Sequence, residues 1–342
     1  MTRPTIHDVA RAAGVSFATV DRVVNNRGGV AEKSVRKVQQ AIKDTGYVRD
    51  IAAANLSRRR EYRFVFLVPD SATGFVGLLR RALGEEQTRL RAEKVQIDVI
   101  ASPAFETAPL VAALRARTAA NTDGITLIAP ETPEIQAEIA RLVAEGVCVI
   151  TLVSDLPRSA RNAYVGPDNV AAGRTAAGFM GRFMRADQGT VLMVAGSLTA
   201  RDHMERVMGF RMTMAERFAH LTLLPAVQGF DDAERVEQSV REALSATPPG
   251  TPLVGVYAVG AGNLGLLRAL AAHAPRPVTI VHELTETTRG ALQTGALDLV
   301  IDQNPAAEIH AAVTMMRDFS DRCPIDPTRG AIPLNIFVRE NV

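Results

Sequence analysis

The pattern of hydrophobic positions changes near residue 60 of the chain. Before that point, apolar residues recur every three or four positions in short segments, which predicts small amphipathic helices. From Phe64 onward, short continuous apolar runs alternate with amphipathic stretches, which indicates parallel strands buried under helices on both faces. We therefore predict an all-α N-terminal part, followed by an α/β part built as two lobes with doubly wound parallel sheets.

The strands of the α/β part are predicted at nine apolar runs. These are R-F-V-F-L-V, Q-I-D-V-I-A, G-I-T-L-I-A, V-C-V-I-T-L-V, T-V-L-M-V-A, L-V-G-V-Y-A-V, V-T-I-V-H-E, D-L-V-I-D and, near the end, N-I-F-V-R-E. The helices predicted between them include residues 78–93, 109–120, 133–145 and 171–184. Open sheets of this kind bind ligands at the carboxyl ends of their strands.

The segment from Thr5 to Asn25 predicts two short helices joined by a tight turn. Gly14 permits the left-handed turn that ends the first helix, and Ser16 is suited to cap the second. The second helix presents Arg22 beside small side chains, which suits the major groove, where arginine bonds guanine and apolar groups contact thymine methyls. An ordinary helical hairpin in a protein core is the alternative. The DNA-contacting residues predicted here are Thr5, Ser16, Phe17, Ala18, Thr19, Arg22 and Asn25.

A third helix is predicted from Glu32 to Thr45, with Gly46 at its end. It should complete a three-helix headpiece. The basic side chains on this helix are candidate phosphate contacts, although a solvated basic face explains each of them equally well. They are Lys33, Arg36, Lys37 and Lys43.

The composition separates a basic head from an acidic body. Residues 1–60 hold 12 Lys/Arg and 5 Asp/Glu, a net charge of +7, whereas the remainder holds 27 and 32, a net charge of −5. Only the head is therefore suited to a polyanion. No secretory signal or membrane-spanning run is recognisable, the two cysteines lie far apart, and no metal-ligand spacing occurs, so we predict a cytoplasmic protein without a bound metal.

The motif D-V-A-R-A-A-G-V-S-x-x-T-V-x-R-V-x-N resembles the N-terminal signature of the lactose-repressor/galactose-repressor family of bacterial transcription regulators. One departure is Asp21, which stands where the family usually has serine. The resemblance implies a helix-turn-helix headpiece, a hinge helix, and a type I periplasmic-binding-protein-like effector domain. It also implies three crossings between the lobes, which we place near Tyr164, Gln303 and Ile332. Without a trailing leucine-heptad helix, the expected state is a homodimer.

The segment Y-V-R-D-I-A-A-A-N-L is similar to the hinge of this family, except that Arg49 and Asp50 replace the usual proline and asparagine. In the family the hinge helix forms on DNA and its leucine wedges into the minor groove, as an apolar side chain must do to open a base step. By this resemblance, Asn55 and Leu56 are predicted to contact DNA. A plain linker is the alternative.

The predicted domains follow from these assignments. We expect a headpiece at residues 1–46, a hinge at 47–60 and an effector domain at 61–342. Within the effector domain, lobe 1 is expected to comprise 61–163 and 304–331, and lobe 2 to comprise 164–303 and 332–342.

Candidate effector-binding residues follow the predicted strands or match the motifs of the resembled family. Carboxylates, amides and an arginine around one or two aromatic faces suit neutral polyhydroxylated molecules. With no tryptophan in the chain, a small sugar or polyol fits better than a large base. A helix cap or a surface salt bridge is the alternative role for each residue. The set is Asp70, Phe75, Glu131, Ser154, Asp155, Arg206, Phe230, Asn263, Glu283 and Gln303.

One motif indicates a different function. Gly260-x-Gly262-x-x-Gly265 follows a predicted strand, and Glu283 ends the next strand, as in a dinucleotide-binding unit. This alternative predicts an NAD(P)-binding redox sensor or oxidoreductase. No convincing catalytic set accompanies the motif. We therefore expect no cofactor and no enzyme activity. Instead, we expect a repressor that binds double-stranded operator DNA under the control of a carbohydrate or polyol effector.

Overall fold

The computed structural model describes residues 4–24, 28–47, 61–71, 74–104, 106–184, 188–247, 250 and 252–342. The predicted hinge helix lies outside the described residues, and so do the predicted DNA contacts Asn25, Asn55 and Leu56. The chain divides into two compact units, Met1–Glu61 and Tyr62–Val342. Among the described helices, none is long and apolar enough to span a membrane.

Three helices form the first unit, and they follow the predicted pattern: α1 (Ile6–Ala13), α2 (Phe17–Val24) and α3 (Glu32–Thr45). Gly14 takes a left-handed conformation with φ of 62° and ends α1, as expected for a residue without a Cβ. The Thr19 N–H donates to Ser16 Oγ over 3.2 Å at the start of α2. Val9, Val20 and Val38 meet in a small core between the helices. The α-helical headpiece is therefore confirmed.

The second unit begins with a five-stranded parallel sheet. Its elements in chain order are β1 (Tyr62–Pro69), α4 (Gly74–Leu90), β2 (Val95–Ser102), α5 (Thr107–Arg115), β3 (Gly124–Leu127), α6 (Pro133–Ala144), β4 (Cys148–Leu152) and β5 (Ala163–Val165). The strand order is β2-β1-β3-β4-β5. Both faces of this sheet are covered by apolar clusters.

A second sheet follows. Its elements are α7 (Asn169–Phe183), β6 (Gly189–Ala195), α8 (Arg201–Arg217), β7 (Leu221–Leu223), β8 (Val227–Gln228), α9 (Ala233–Ala246), β9 (Leu253–Ala258), α10 (Asn263–Leu270), β10 (Val278–His282), α11 (Glu286–Thr294), β11 (Leu299–Asp302), α12 (Pro305–Ser320) and β12 (Asn335–Phe337). The order is β12-β11-β10-β9-β6-β7, with β8 also paired to β6. Of these strands, β12 runs antiparallel to its neighbour. The predicted two-sheet α/β fold class is confirmed.

The chain passes between the sheets after β5, between β11 and α12, and before β12. Helix α12 leaves the second sheet and buries Ile309 and Met316 against Tyr62 and Phe64 of the first. We name the first sheet with α4–α6 and α12 the first lobe, and the second sheet with α7–α11 the second lobe. Each sheet is thus covered by helices on both of its faces.

The structure differs from the predicted elements in a few places. Strands β5, β7 and β8, each at most three residues long, were not predicted. The helix predicted over 109–120 ends at Arg115, because the Asn121 carboxamide donates to Ala116 O and accepts from the Thr118 N–H. The helix predicted over 78–93 begins at Gly74 and ends at Leu90.

Candidate functional site

The outward face of α2 carries a ring, a methyl group and a guanidinium. Phe17 is 46% exposed and stacks on His7, with 4.9 Å between the ring centroids. Ala18 and Arg22 are also exposed, whereas Val20 on the opposite face is fully buried. This surface offers groups that suit base edges in a major groove.

Hydroxyl groups predicted to contact DNA also hold the helix ends. Thr5 caps α1, and its N–H and hydroxyl both donate to the Asp8 carboxylate. The Ser16 and Thr19 hydroxyls lie 2.8 Å apart at the start of α2. On α3 the basic side chains predicted to contact phosphate are exposed. Among them, Arg36 forms an ion pair with Glu32, with 3.5 Å between Arg36 Nη2 and Glu32 Oε2. The exposed charges of this helix are thus available to phosphates.

A cavity of about 360 Å³ lies between the two lobes of the second unit. This volume falls within the range of small-molecule sites. Its walls come from the loops that follow the carboxyl ends of β1–β4 on one side and of β6 and β8–β11 on the other. Seven of the ten predicted effector residues line it: Asp70, Phe75, Ser154, Arg206, Phe230, Glu283 and Gln303.

Arg206 is the central cation of the cavity and is only 2% exposed. Its Nε donates to Asn169 Oδ1 over 2.8 Å, and its Nη1 donates to Val259 O over 2.7 Å. Asn169 in turn donates to Val153 O, which belongs to the first lobe. The guanidinium is therefore held in one orientation by a chain of hydrogen bonds that reaches across the cleft.

Glu283 and Gln303 form a buried polar pair at the ends of β10 and β11. Gln303 Nε2 donates to Glu283 Oε1 over 2.5 Å. Burial, and secondarily the charge of Asp302, raise the pKa of Glu283 to about 8. At neutral pH this carboxyl group therefore holds a proton in most molecules.

His282 lies beside Glu283 in the cavity wall. Its Nε2 is 2.8 Å from the hydroxyl of Tyr257, in the core of the second lobe. Burial and the nearby Arg206 charge lower the pKa of His282 well below its ordinary value. The imidazole is therefore neutral, and its two nitrogens divide into one donor and one acceptor.

Polar atoms without a hydrogen-bond partner converge on this cavity. Among the described residues, five buried side-chain atoms of the cavity wall have no partner within the protein. A buried polar atom without a partner costs on the order of 1–3 kcal/mol, so such atoms are rare unless a ligand or water meets them. The five are Ser102 Oγ, Arg206 Nη2, His282 Nδ1, Glu283 Oε2 and Gln303 Oε1.

Three predicted effector residues do not line the cavity. Glu131 of the first lobe pairs with Arg201 of the second, with 3.0 Å between the charged atoms. Asp155 pairs with Arg161. Asn263 donates to the backbone carbonyl of His282. Their side chains thus serve contacts within the protein.

The loops around the cavity hold strained backbone. Phe230, Asp231 and Glu283 have positive φ values of 51°, 59° and 71°, in a region that non-glycine residues rarely adopt. Val153, with φ of 64°, is a fourth residue of the cavity wall with a positive φ. Strain of this kind concentrates at functional sites because the surrounding structure must sustain it. Phe230 remains 46% exposed, with the Arg235 guanidinium 5.5 Å from its ring centroid.

The glycines of the dinucleotide-like motif serve packing within the second lobe. The Asp231 carboxylate accepts the Ala261 N–H over 2.7 Å, and a Cβ at Gly260 would lie 2.5 Å from that carboxylate. A Cβ at Gly265 would lie 1.7 Å from the carbonyl oxygen of Ala233, so α9 and α10 need this glycine to pack. A carboxylate therefore occupies the loop where a pyrophosphate would accept N–H groups.

Four residues of this site were not identified from the sequence. Ser102, His282 and Asp231 end or follow strands, and that position is the signal that could have identified them. Asn169 begins α7 without any distinctive motif, and only its contact with Arg206 reveals its role.

Two family models match the chain. Residues 5–50 match bacterial regulatory proteins of the lacI family, and residues 64–321 match a periplasmic binding protein domain. The second match covers most of the chain.

Among curated relatives, the chain is similar to the HTH-type transcriptional regulator DegA of Bacillus subtilis. The two are 26% identical over 63% of this chain and 61% of that protein. Catabolite control protein A of Streptococcus mutans is 30% identical over 40% of each chain. The sucrose operon repressor of Vibrio alginolyticus is 37% identical over 24% of this chain and 85% of that sequence. The chain thus spans less than two-thirds of the length of the first two.

Solved structures of similar fold include sugar-binding proteins. GanP, a glucose-galactose binding protein from Geobacillus stearothermophilus, aligns with a TM-score of 0.73 and 20% identity over 83% of this chain and 99% of that one. A solute-binding protein from Burkholderia graminis, in complex with D-arabinose, aligns with a TM-score of 0.74 and 21% identity over 82% and 96%. At this identity the likeness establishes the fold. With its helix-turn-helix headpiece and the periplasmic binding protein domain that follows, the chain belongs to the lacI family of bacterial regulatory proteins.

Proposed function

We propose that this protein is a DNA-binding transcriptional repressor whose operator affinity is controlled by a small carbohydrate or polyol. Two copies form a homodimer, and their headpieces bind the half-sites of a pseudo-palindromic operator. We assign the headpiece to residues 1–46, the hinge to 47–60 and the effector domain to 61–342, with the lobe boundaries expected from the sequence.

One observation carries the proposal. A lacI-family headpiece occurs in the same chain as a cleft in which five buried polar atoms have no partner among the residues that the structure describes. The headpiece supplies an exposed Arg22 on α2, beside the methyl of Ala18 and the ring of Phe17. Curated relatives of the chain include named transcriptional regulators and an operon repressor, in agreement with this role.

The chemistry of the cavity supports a polyhydroxylated effector. A hydroxyl group both donates and accepts, so adjacent hydroxyls match a wall that alternates donors with acceptors. Here Arg206 Nη2 is a donor, Gln303 Oε1 is an acceptor, and Ser102 Oγ serves as either. The rings of Phe75 and Phe230 offer apolar faces from opposite lobes. We propose that Asp70, Ser154 and Glu283 complete the binding set.

Regulation follows from the position of the cavity between the lobes. An effector that contacts both lobes favours their closed arrangement, and only such differential contact can shift a conformational equilibrium. Through this shift the effector controls the affinity for the operator. Because linkage is reciprocal, bound operator must change effector affinity by the same factor.

An oxidoreductase function is disfavoured by the contacts of the glycine loop. The Asp231 carboxylate accepts the Ala261 N–H, so a dinucleotide pyrophosphate would meet like charge there. The relatives named above are regulators. We therefore propose that the chain is not an enzyme and requires no cofactor.

Selection from a random duplex library tests DNA recognition. We expect the full-length protein to enrich a two-fold symmetric sequence. Arg22→Ala should weaken binding to that sequence by about 1–3 kcal/mol and relax one base position in each half-site. The matched control is Arg36→Ala on α3. This variant should weaken binding less than Arg22→Ala does, and by nearly the same amount for every DNA sequence. An unchanged affinity of the Arg22→Ala variant would exclude α2 as the recognition helix.

A further inference from the structure

The cavity between the lobes holds more acidic than basic side chains. The ionisable acids in its wall are Asp70, Asp202, Asp231, Asp232 and Glu283, whereas Arg206 is the one arginine or lysine among the lining residues, all of which the structure describes. A ligand with a negative charge therefore enters an environment that is already short of cations.

Arg206 is not free to neutralise the charge of an anionic ligand. Two of its donors are already used by Asn169 and Val259, and only Nη2 lacks a partner within the described residues. Its charge also interacts with those of Glu283 and Glu308. The one buried cation is thus shared among the acids that surround it.

A second buried acid lies near Glu283. Glu308, in the first turn of α12, is fully buried, and neither of its carboxyl oxygens has a hydrogen-bond partner among the described residues. Burial, then the charge of Glu283, raises the pKa of Glu308 well above its ordinary value. Surroundings that disfavour the charged form of these two carboxyl groups also disfavour the charge of an anionic ligand.

Some of the backbone N–H groups that could bind an anion are already occupied. The Asp231 carboxylate accepts the Ala261 N–H, and the Asp232 carboxylate caps α9 through the Arg235 N–H. At the start of α8, the Asp202 N–H donates to Ser154 Oγ over 3.4 Å. Helix starts are favourable sites for anions, and at α9 a carboxylate of the protein already accepts the N–H group.

We propose that this cavity selects uncharged polyhydroxy compounds and rejects the carboxylate and phosphate derivatives of the same compounds, because acidic side chains outnumber arginine and lysine in its wall, and that Glu283 strengthens this selectivity when it ionises. This inference rests on the proposed carbohydrate-binding function and specifies its ligand class. The protonated Glu283 carboxyl group donates to a hydroxyl of the ligand, and it becomes a repulsive charge when it ionises.

Calorimetric titration of the full-length protein with matched ligands tests the proposal. The sets are D-glucose, D-gluconate and D-glucose 6-phosphate; D-galactose and D-galacturonate; and D-ribose, ribitol and D-ribose 5-phosphate. We expect binding by at least one uncharged member, and at least about tenfold weaker binding by its anionic counterparts. An anion that binds as tightly as its uncharged counterpart would overturn the selectivity. Absence of binding by every compound would instead refute the carbohydrate effector itself, and this inference with it.

Glu283→Gln tests this contribution at pH 9, where Glu283, with a pKa of about 8, is mostly ionised. The variant keeps an acceptor for Gln303 and removes the negative charge, so the ratio of the two dissociation constants, anion over uncharged ligand, should shrink severalfold. The control is the same change at an acid outside the cavity, Glu134→Gln in the first lobe, whose side chain is exposed and therefore screened by solvent. It should leave the ratio within about twofold. An unchanged ratio in Glu283→Gln would remove Glu283 from this role.

The pH dependence of the wild-type protein gives a second measurement that needs no variant. Glu283 interacts with Asp302, Arg206 and Gln303, and Glu308 lies close enough to sense its charge. Because the pKa of Glu283 is about 8, its ionisation should widen the ratio for a carboxylate ligand as the pH rises from 6.5 to 9. A ratio that stays constant across this range would contradict the assignment.

Discussion

The two lobes contribute unlike surfaces to the cavity. The first lobe supplies mostly apolar groups, among them Val68, Phe75 and Ile128. The second lobe supplies most of the charged and hydrogen-bonding groups, with Arg206 and Glu283 at their centre. This difference indicates a division of roles, in which the second lobe recognises the ligand and the first lobe covers it.

Close helix packing in the second lobe fixes the backbone of its central cation. Helices α7 and α8 pack so closely that a Cβ at Gly173 would lie 2.0 Å from the Arg206 carbonyl oxygen, and one at Gly209 would lie 2.1 Å from the Val170 carbonyl oxygen. The backbone that carries Arg206 is therefore fixed by the helix pair. A rigid polar wall and an apolar cover are what an effector-driven closure requires.

The largest effect is expected for Arg206→Ala. Effector affinity should fall by about 100-fold or more, and the free energy of unfolding should drop by about 3–5 kcal/mol, because Asn169 Oδ1 and Val259 O lose a buried charged donor and a cavity is left behind. Calorimetry and urea unfolding measure the two quantities. Arg201→Ala, which removes a half-buried ion pair with Glu131, should cost less than about 1 kcal/mol of stability. Effector binding that survives in Arg206→Ala would contradict the role of the second lobe.

The second expected effect is a loss of stability at high pH. The folded-state pKa of Glu283 is raised from 4.5 to about 8, so its contribution is fully favourable below pH 4.5 and is lost as the pH rises through 8. The loss amounts to up to about 5 kcal/mol. Urea unfolding between pH 5 and 9 measures this loss. Glu283→Gln should remove most of the decrease in the free energy of unfolding with pH.

A first-lobe acid gives the opposite sign and serves as the control. Hydrogen bonds from Arg115 and Arg141 lower the pKa of Glu138. Its stabilisation is present above the unfolded-state pKa and is lost as the pH falls. Glu138→Gln should therefore leave the slope between pH 7 and 9 unchanged. If the free energy of unfolding falls equally steeply with pH in the wild type and in Glu283→Gln, the ionisation of Glu283 does not destabilise the fold.

Phe75→Ala tests the covering role of the first lobe. Loss of an apolar face should weaken effector binding about tenfold and leave operator binding intact. Phe75→Leu should recover most of the affinity, since it restores apolar area without an aromatic ring. Unaltered affinity in Phe75→Ala would mean that the ligand contacts the second lobe alone.

The smallest effect is expected for Glu131→Gln. Its ion pair with Arg201 joins the lobes but is partly exposed, so its loss should cost at most about 1 kcal/mol of effector affinity. We expect the change mainly in the rate of effector release, with a smaller difference at 0.5 M than at 0.05 M NaCl. A release rate that does not change at low salt would exclude this pair as a contact that holds the cleft closed.

The sequence predicted the headpiece better than the cleft. Within residues 4–24, the turn at Gly14 and the cap at Ser16 act on near neighbours, so local pattern determines them. The cleft is assembled from loops that are far apart in the chain. Strand ends identified Glu283 and Gln303, but only the fold shows that Glu131 pairs with Arg201 of the other lobe.

Buried electrostatics could not be predicted from the sequence either. Glu308 occupies an ordinary position in the first turn of an amphipathic helix, and its burial near Glu283 depends on the crossing of α12 between the lobes. The glycine motif illustrates the opposite case. Its spacing matched a dinucleotide site, whereas the contacts of Gly260 and Gly265 show close packing around Asp231 and α9.

The most direct test of the account measures operator affinity with and without a saturating ligand from the uncharged panel. We predict that the ligand changes the operator dissociation constant by about 5- to 150-fold, corresponding to a coupling of 1–3 kcal/mol, and that operator changes ligand affinity by the same factor. Arg206→Ala should bind operator as wild type does and lose the response. An operator affinity that the bound ligand leaves unchanged would contradict effector control of DNA binding.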